Sequence, residues 1–299
     1  MKKLMRNLLV PIFVMLVAAN SWAGEGLTSY YKVASLEVSL NDAITQIKDA
    51  LSTKGFEVIG EYHPGKIENL YVVAYTRDDL QKLCLKVEDR GALASVLKIG
   101  FIVKEGKVDV SMLNPEYIFY AYLMDEAEKY ATELKAITTD SKDALNAVGT
   151  DFTPFGGSLE VADLKEYHYM MMMPYFTDPV ELEEFDSFEE GLATIRKNLN
   201  AKKGNTVKVY ELVFESEKIA VFGIGLLDAG EGEANFLPII GESHVAAMPY
   251  EIILQGDEAT MLHGKYRFAL HWPELTMSQF MKISSTPGDV EEMLEALTE

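Results

Sequence analysis

Residues 97–117 read LKIGFIVKEGKVDVSMLNPEY, and this stretch predicts the centre of the fold. Two β-branched, apolar segments flank Glu105-Gly106, a pattern typical of a tight hairpin between antiparallel strands. Asn114 follows the second strand and Pro115 comes next, as in a helix N-cap with proline in the first turn. The stretch therefore predicts a strand, a turn, a strand and the start of a helix.

The surrounding segments give residues 29–135 the order strand, helix, four strands, helix. SYYKVASLEV is strand-like, and Ser39 is placed to cap a helix that Gly55 ends. FEVIGEY and LYVVAYTR follow as strands, joined through a turn at Pro64-Gly65. The hairpin and the second helix then complete the unit.

Residues 165–298 repeat this order. EYHYMMMMPYF is predicted as the first strand, and Ser187 caps the helix SFEEGLATIRKNLN. VKVYELVF, KIAVFGIGLL and AAMPYEIILQ are predicted as strands, and ATMLHGKYRFALHW as the last strand. Pro273 is placed at the start of the final helical region.

The spacing of landmarks supports an internal repeat. Gly204 lies 149 positions after Gly55, whereas Pro273 lies 158 positions after Pro115, which requires about nine inserted residues in the second copy. The predicted organisation is a signal peptide at 1–23, a first repeat domain at 24–140, a linker at 141–164 and a second repeat domain at 165–299. The linker is predicted from its Thr, Asp, Gly and Ser content.

The N-terminus predicts export. Lys2, Lys3 and Arg6 precede a short apolar segment, and small residues favour cleavage after Ala23. No later segment reaches the length of a membrane span, so a periplasmic or secreted protein without membrane attachment is expected.

Charge and cysteine content exclude some functions. The chain has 47 acidic and 27 basic residues, a formal net charge of −20. Such a surface repels phosphate, so nucleic acid is not expected as a partner. Cys84 is the sole cysteine, which excludes an intrachain disulfide and predicts a buried thiol.

The hairpin and the Asn-Pro-Glu-Tyr helix start resemble the domain of unknown function 302 family. KIAVFGIG and FLPIIGESHVAAMPYEIIL of the second copy resemble the same family, although Ile224-Gly225 stands where Asn-Pro is usual, and Trp272 precedes Pro273 where Asn is usual. The resemblance implies an α+β fold of two tandem strand-helix-four strands-helix repeats. It implies curved, mainly antiparallel sheets with helices on one face, similar to the TATA-binding protein. It implies no activity.

Two interpretations fit residues 167–176, YHYMMMMPYF: a metal site and an apolar strand. On one face of a strand, His168, Met170 and Met172 would form a row suited to Cu(I). Packing of methionine in the core is the favoured interpretation. No cofactor is therefore expected, with copper as the minority alternative.

The predicted last strand would separate an apolar face from a face of histidines and cations. The candidate ligand-binding residues are taken from this stretch: Tyr266, Arg267, Phe268, His263 and His271. Its basic row would suit a carboxylate or a phosphate, and a solvated face paired with acidic neighbours is the alternative.

No nucleophile, zinc or nucleotide motif is present in the sequence. The leading hypothesis is a noncatalytic binding or interaction module, with an apolar pocket between sheet and helix lined by aromatic and methionine residues of the second copy. Its partner would be a small molecule or a protein. The alternatives are an enzyme with a motif-free, hydrolase-like site and a periplasmic copper-handling protein.

Overall fold

The computed structural model describes residues 26–299. The predicted signal peptide lies outside the described residues. Among those that are described, no helix combines the length and the hydropathy that a membrane span requires.

The first sheet is antiparallel and has the strand order β2-β3-β4-β5-β1-β6. Its strands are β1 (Leu27–Leu36), β2 (Glu57–Tyr62), β3 (Leu70–Thr76), β4 (Leu97–Lys104), β5 (Lys107–Leu113) and β6 (Thr153–Leu159). The helices of this part are α1 (Leu40–Ser52), α2 (Asp78–Cys84), α3 (Pro115–Leu123), α4 (Glu126–Lys129), α5 (Ala131–Leu145) and α6 (Val161–Lys165). We call this part the first half.

The second sheet has the order β7-β11-β10-β9-β8, which is the order of the first sheet without its sixth strand. Its strands are β7 (Val180–Glu184), β8 (Thr206–Phe214), β9 (Ile219–Leu226), β10 (Tyr250–Gln255) and β11 (Glu258–Met261). The helices are α7 (Phe188–Asn200), α8 (Glu233–Ile240), α9 (Gly264–His271), α10 (Met277–Lys282) and α11 (Thr286–Glu295). We call this part the second half. The predicted α+β class of mainly antiparallel sheets with helices is confirmed.

Three helix starts that the sequence predicts are confirmed. The Ser39 side chain accepts a hydrogen bond from the Asp42 N–H, and Ser187 accepts one from the Glu190 N–H. Asn114 caps α3 in the same way. Such caps occupy amide groups that would otherwise lack a partner at the helix start.

The prediction of one strand over ATMLHGKYRFALHW is wrong. β11 ends at Met261, and His263 caps α9. Residues 266–271 are all buried, so the apolar residues are not confined to one face of the helix. Their order in the sequence therefore resembles the alternation of a strand. His263 lies 149 positions after Asn114, the spacing of the two glycines. The helix after β11 therefore begins before Pro273, which does not have the place at a helix start that Pro115 has in α3.

The segment 141–164, predicted as a linker, is mostly regular structure. It contains the end of α5, strand β6 and most of α6. β6 is an edge strand that pairs with β1. Its polar and glycine residues are tolerated at that position. The domain boundaries themselves stay a prediction.

Each of the two hydrophobic cores contains residues of both halves. Val221 and Ile253 of the second half belong to the cluster formed mainly by the first half. Residues 242–247 pack on β3, β4 and β5. Gly60 of β2 lies against the Val209 carbonyl of β8, where a Cβ atom would collide with it. The two halves are therefore in contact with each other, although their strands form two separate sheets.

Candidate functional site

The methionine-rich segment 167–176 is an irregular loop and not the predicted strand. Met172 has a φ angle of 71°, outside the β region, and Pro174 has no N–H for a strand ladder. The first strand of the second half is instead β7. We call residues 167–176 the methionine loop.

Buried aromatic rings hold both ends of the methionine loop. The Tyr167 ring centroid lies 6.0 Å from that of Tyr266, in an edge-to-face arrangement. The Phe176 ring stacks on Tyr122 at 5.2 Å. The middle of the loop is left on the surface, with Met172 94% exposed.

The proposed copper ligands do not form a row on a strand. His168 is half-buried, its ring 4.4 Å from Tyr175, with Nδ1 3.3 Å from the Glu166 carbonyl oxygen. Met170 and Met172 are exposed, so the favoured prediction that these methionines pack in the core is wrong. Among residues 26–299, no group of three His, Cys, Asp or Glu side chains is placed to hold a metal ion. A thioether site for copper stays a prediction.

The five predicted ligand-binding residues lie on α9 or at its cap, and four of them make polar contacts within the chain. The His263 Nδ1 accepts the Lys265 N–H at 3.2 Å. The Tyr266 hydroxyl donates to the Ala121 carbonyl oxygen, and His271 Nε2 lies 3.1 Å from the Tyr122 hydroxyl. Burial lowers the pKa of His271 well below its ordinary value, so its ring is neutral.

Arg267 is buried in an ionic cluster at the junction of the halves. Its Nη2 donates to the carbonyl oxygens of Ala247 and Pro249 and lies 3.5 Å from the Glu251 carboxylate. Lys98 of β4 binds the other oxygen of Glu251. Burial disfavours the charged Lys98 and lowers its pKa. Removal of Glu251 would leave two buried cations, which assigns this cluster a structural role.

Phe268 of the predicted set lines a pocket. The pocket lies between the methionine loop, α9 and α10, with Met173, Ala269 and Phe280 among its walls. Its volume is about 130 Å³. An apolar cavity of roughly 150 Å³ accommodates benzene, so this pocket fits one aromatic ring or branched aliphatic group. We call it the methionine pocket.

The exposed large apolar side chains belong to two of the elements that form this pocket, and Tyr169, Met170 and Met277 line it. In the described chain they all lie on the methionine loop or α10: Tyr169, Met170, Met171, Met172, Tyr175, Met277 and Met281. Scattered apolar residues are normal on a protein surface, whereas a contiguous apolar patch marks an interaction site. Methionine side chains also adapt their shape to different ligands.

Lys265 supplies the positive charge at the methionine pocket. Its side chain lines the pocket and is exposed. No salt bridge joins it to another residue of the part of the chain that the structure describes. In a chain of net charge −20, an unpaired lysine beside apolar walls favours a ligand with one carboxylate.

Ser243 and His244 are a candidate catalytic pair. The Ser243 Oγ lies 3.0 Å from the His244 Nδ1, beside a separate cavity of about 180 Å³. Burial lowers the pKa of His244 to about 4. The ring is a weak general base at that pKa, and its Nε2 has no protein partner within residues 26–299 to orient it.

The location of the methionine pocket differs from the prediction. It was expected between sheet and helix, but it lies between a loop and two helices. The methionine and aromatic walls follow the predicted composition. Met277 and Phe280 were missed because they come from α10, whose position beside the loop has no signal in the sequence.

Comparison with solved structures yields weak structural likenesses, one of which is described here. No protein-family model matches the chain, and a search of curated proteins gave no significant match. The crystal structure of an uncharacterized conserved DUF302 protein from Bacillus stearothermophilus is similar, with 15% identity and a TM-score of 0.32. The match covers 40% of this chain and 95% of that protein. This likeness does not establish family membership.

Proposed function

We propose that this protein is a noncatalytic binding protein and that the methionine pocket is its ligand-binding site. The carrying observation is the concentration of exposed apolar side chains around one pocket that fits a single ring. Lys265 adds a preference for a carboxylate beside the apolar group. A soft apolar wall with one polar contact is typical of binding sites.

Benzoate is a suitable probe, because it joins one ring to one carboxylate. We expect benzoate to shift the methyl NMR signals of Met170 and Met173 in the full mature protein, and neutral benzyl alcohol to bind more weakly. Ala269→Leu fills the pocket and is expected to abolish these shifts. Ala136→Leu, at an exposed position of α5, is the matched control. Unchanged methionine signals at saturating benzoate would remove the proposed site.

We also propose that the two halves are tandem copies of a domain similar to DUF302, the second diverged. SMLNPEY at 111–117 and TMLHGKY at 260–266 are separated by 149 positions, and the two sheets have the same strand order. The family name adds no chemistry to the binding role.

We propose that the protein acts after export, in the periplasm or outside the cell. The basic start and apolar segment before Ala23 support this. Protein recovered from a periplasmic fraction is expected to have the intact mass of a chain that begins at Gly24. Recovery of the uncleaved chain from the cytoplasm would contradict it.

A further inference from the structure

The first half contains a counterpart of the methionine pocket that the chain itself fills. Helix α6 packs on α3, and its Leu164 is fully buried. The Lys165 Nζ lies 2.8 Å from Asp125 and 2.7 Å from Glu128. α6 is therefore a short amphipathic helix with one apolar anchor and one charged contact.

Helices α3 and α9 occupy equivalent places in the two halves. Tyr117 donates to the Leu270 carbonyl oxygen, and Tyr266 donates to that of Ala121. Tyr266 lies 149 positions after Tyr117, and Leu270 lies 149 positions after Ala121. Such reciprocal contacts are those of a two-fold interface, so residues of α9 can be matched to α3 one by one.

The matched residues show that α6 covers the equivalent surface. Lys265 and Ala269, which line the methionine pocket, correspond to Glu116 and Tyr120. Burial raises the pKa of Tyr120, and the charges beside its hydroxyl are Glu116, Glu128 and the Lys165 ammonium of α6. α6 thus packs on α3, whose residues Glu116 and Tyr120 correspond to the pocket-lining residues of α9.

We propose that the methionine pocket docks a short amphipathic helix of a partner protein, in the way that α6 docks on α3. One leucine-sized side chain enters the pocket, which fits a single branched aliphatic group. This inference rests on the proposed function and names the partner class for the same site. Helical ligands commonly present such anchors to a groove.

The charge of the partner helix follows from the same match. Glu116 lies on α3, and Lys165 of α6 forms ion pairs with Asp125 and Glu128. The corresponding positions are Lys265, Glu274 and Met277, so the positive group now lies on the groove. A partner therefore carries an acidic residue where α6 carries lysine.

Two synthetic peptides with capped ends test the inference. One has the sequence of residues 158–167, SLEVADLKEY, and the other carries Lys165→Glu. We expect both to shift the methyl signals of Met170, Met173 and Met277 in the full mature protein. The acidic peptide should bind roughly two- to fivefold more tightly, the size of one exposed ion pair. Lys265→Glu in the protein should reverse this preference.

Controls separate the two proposals. Leu164→Ser in either peptide and Ala269→Leu in the protein should remove binding, whereas Ala136→Leu should not. Methionine shifts with benzoate but with neither peptide would overturn the helix inference and leave the proposed function intact. No shifts with any of the three probes would overturn both. Dilution-dependent shifts without peptide, accompanied by a dimer in sedimentation, would assign the groove to a second copy instead.

Discussion

At the scale of single residues, buried charges join the two halves. Glu233 at the start of α8 is fully buried and accepts hydrogen bonds from the Tyr62 hydroxyl and the Gly65 N–H, both at 2.7 Å. Burial raises the pKa of Glu233 to about 7, and the hydrogen bonds only partly offset that effect. A contact between the halves therefore changes its protonation near neutral pH.

The raised pKa predicts a pH-dependent stability. The folded-state pKa of about 7 exceeds the ordinary value of 4.5, so this contribution is full below pH 4.5 and is lost as pH rises through 7. We expect the unfolding free energy of the wild type, relative to Glu233→Gln, to fall by roughly 2 kcal/mol from pH 5 to pH 8. Urea denaturation at both pH values measures this.

The control for that experiment is Glu231→Gln, which lies two residues away and is exposed. Its unfolding free energy should follow that of the wild type at both pH values. A constant difference between the wild type and Glu233→Gln would show that Glu233 keeps one protonation state over this range.

At the scale of elements, helix caps decide where the chain leaves each sheet. Asn114 was recognisable from the sequence because asparagine followed by proline is a frequent helix start. His263 performs the same role on α9 but is an uncommon cap, and the buried residues after it alternate like a strand. The helix is favoured because its surroundings bury all of residues 266–271.

Substitution at the first cap should be costly. Asn114 Oδ1 accepts the Glu116 N–H, and its Nδ2 donates to the Thr28 carbonyl oxygen at 2.7 Å. We expect Asn114→Ala to lower the unfolding free energy by about 2 kcal/mol, since a cap and a buried hydrogen bond are lost together. Asn41→Ala, at an exposed position of α1, should change it by less than about 0.5 kcal/mol in the same urea titration. Equal effects of the two changes would contradict the capping role.

At the scale of the whole molecule, we expect the two halves to unfold together, because each hydrophobic core contains residues of both halves. The hydrogen bonds of Tyr117 and Tyr266 cross between the halves, and the Tyr122 hydroxyl lies 3.1 Å from His271 Nε2. A substitution that destabilises one half is therefore expected to destabilise the other half as well.

Trp272, the single tryptophan of residues 26–299, provides the test because it reports on the second half alone. We expect Tyr117→Phe, a change in the first half, to lower the unfolding free energy by about 1 kcal/mol. Trp272 fluorescence and far-ultraviolet circular dichroism should give the same shifted urea midpoint. A shifted dichroism midpoint with unchanged fluorescence would mean that the halves unfold independently.

The sequence by itself determined the α+β class, most of the strands, the caps at Ser39, Asn114 and Ser187, and the repeated order. These features depend on local patterns that neighbouring residues carry. The tertiary structure alone decided that residues 264–271 are a helix and that the methionine loop is no strand. It also decided that the pocket forms where that loop meets α10. The physical reason is that burial and closure depend on which distant surfaces come together, and a one-dimensional pattern does not encode that contact.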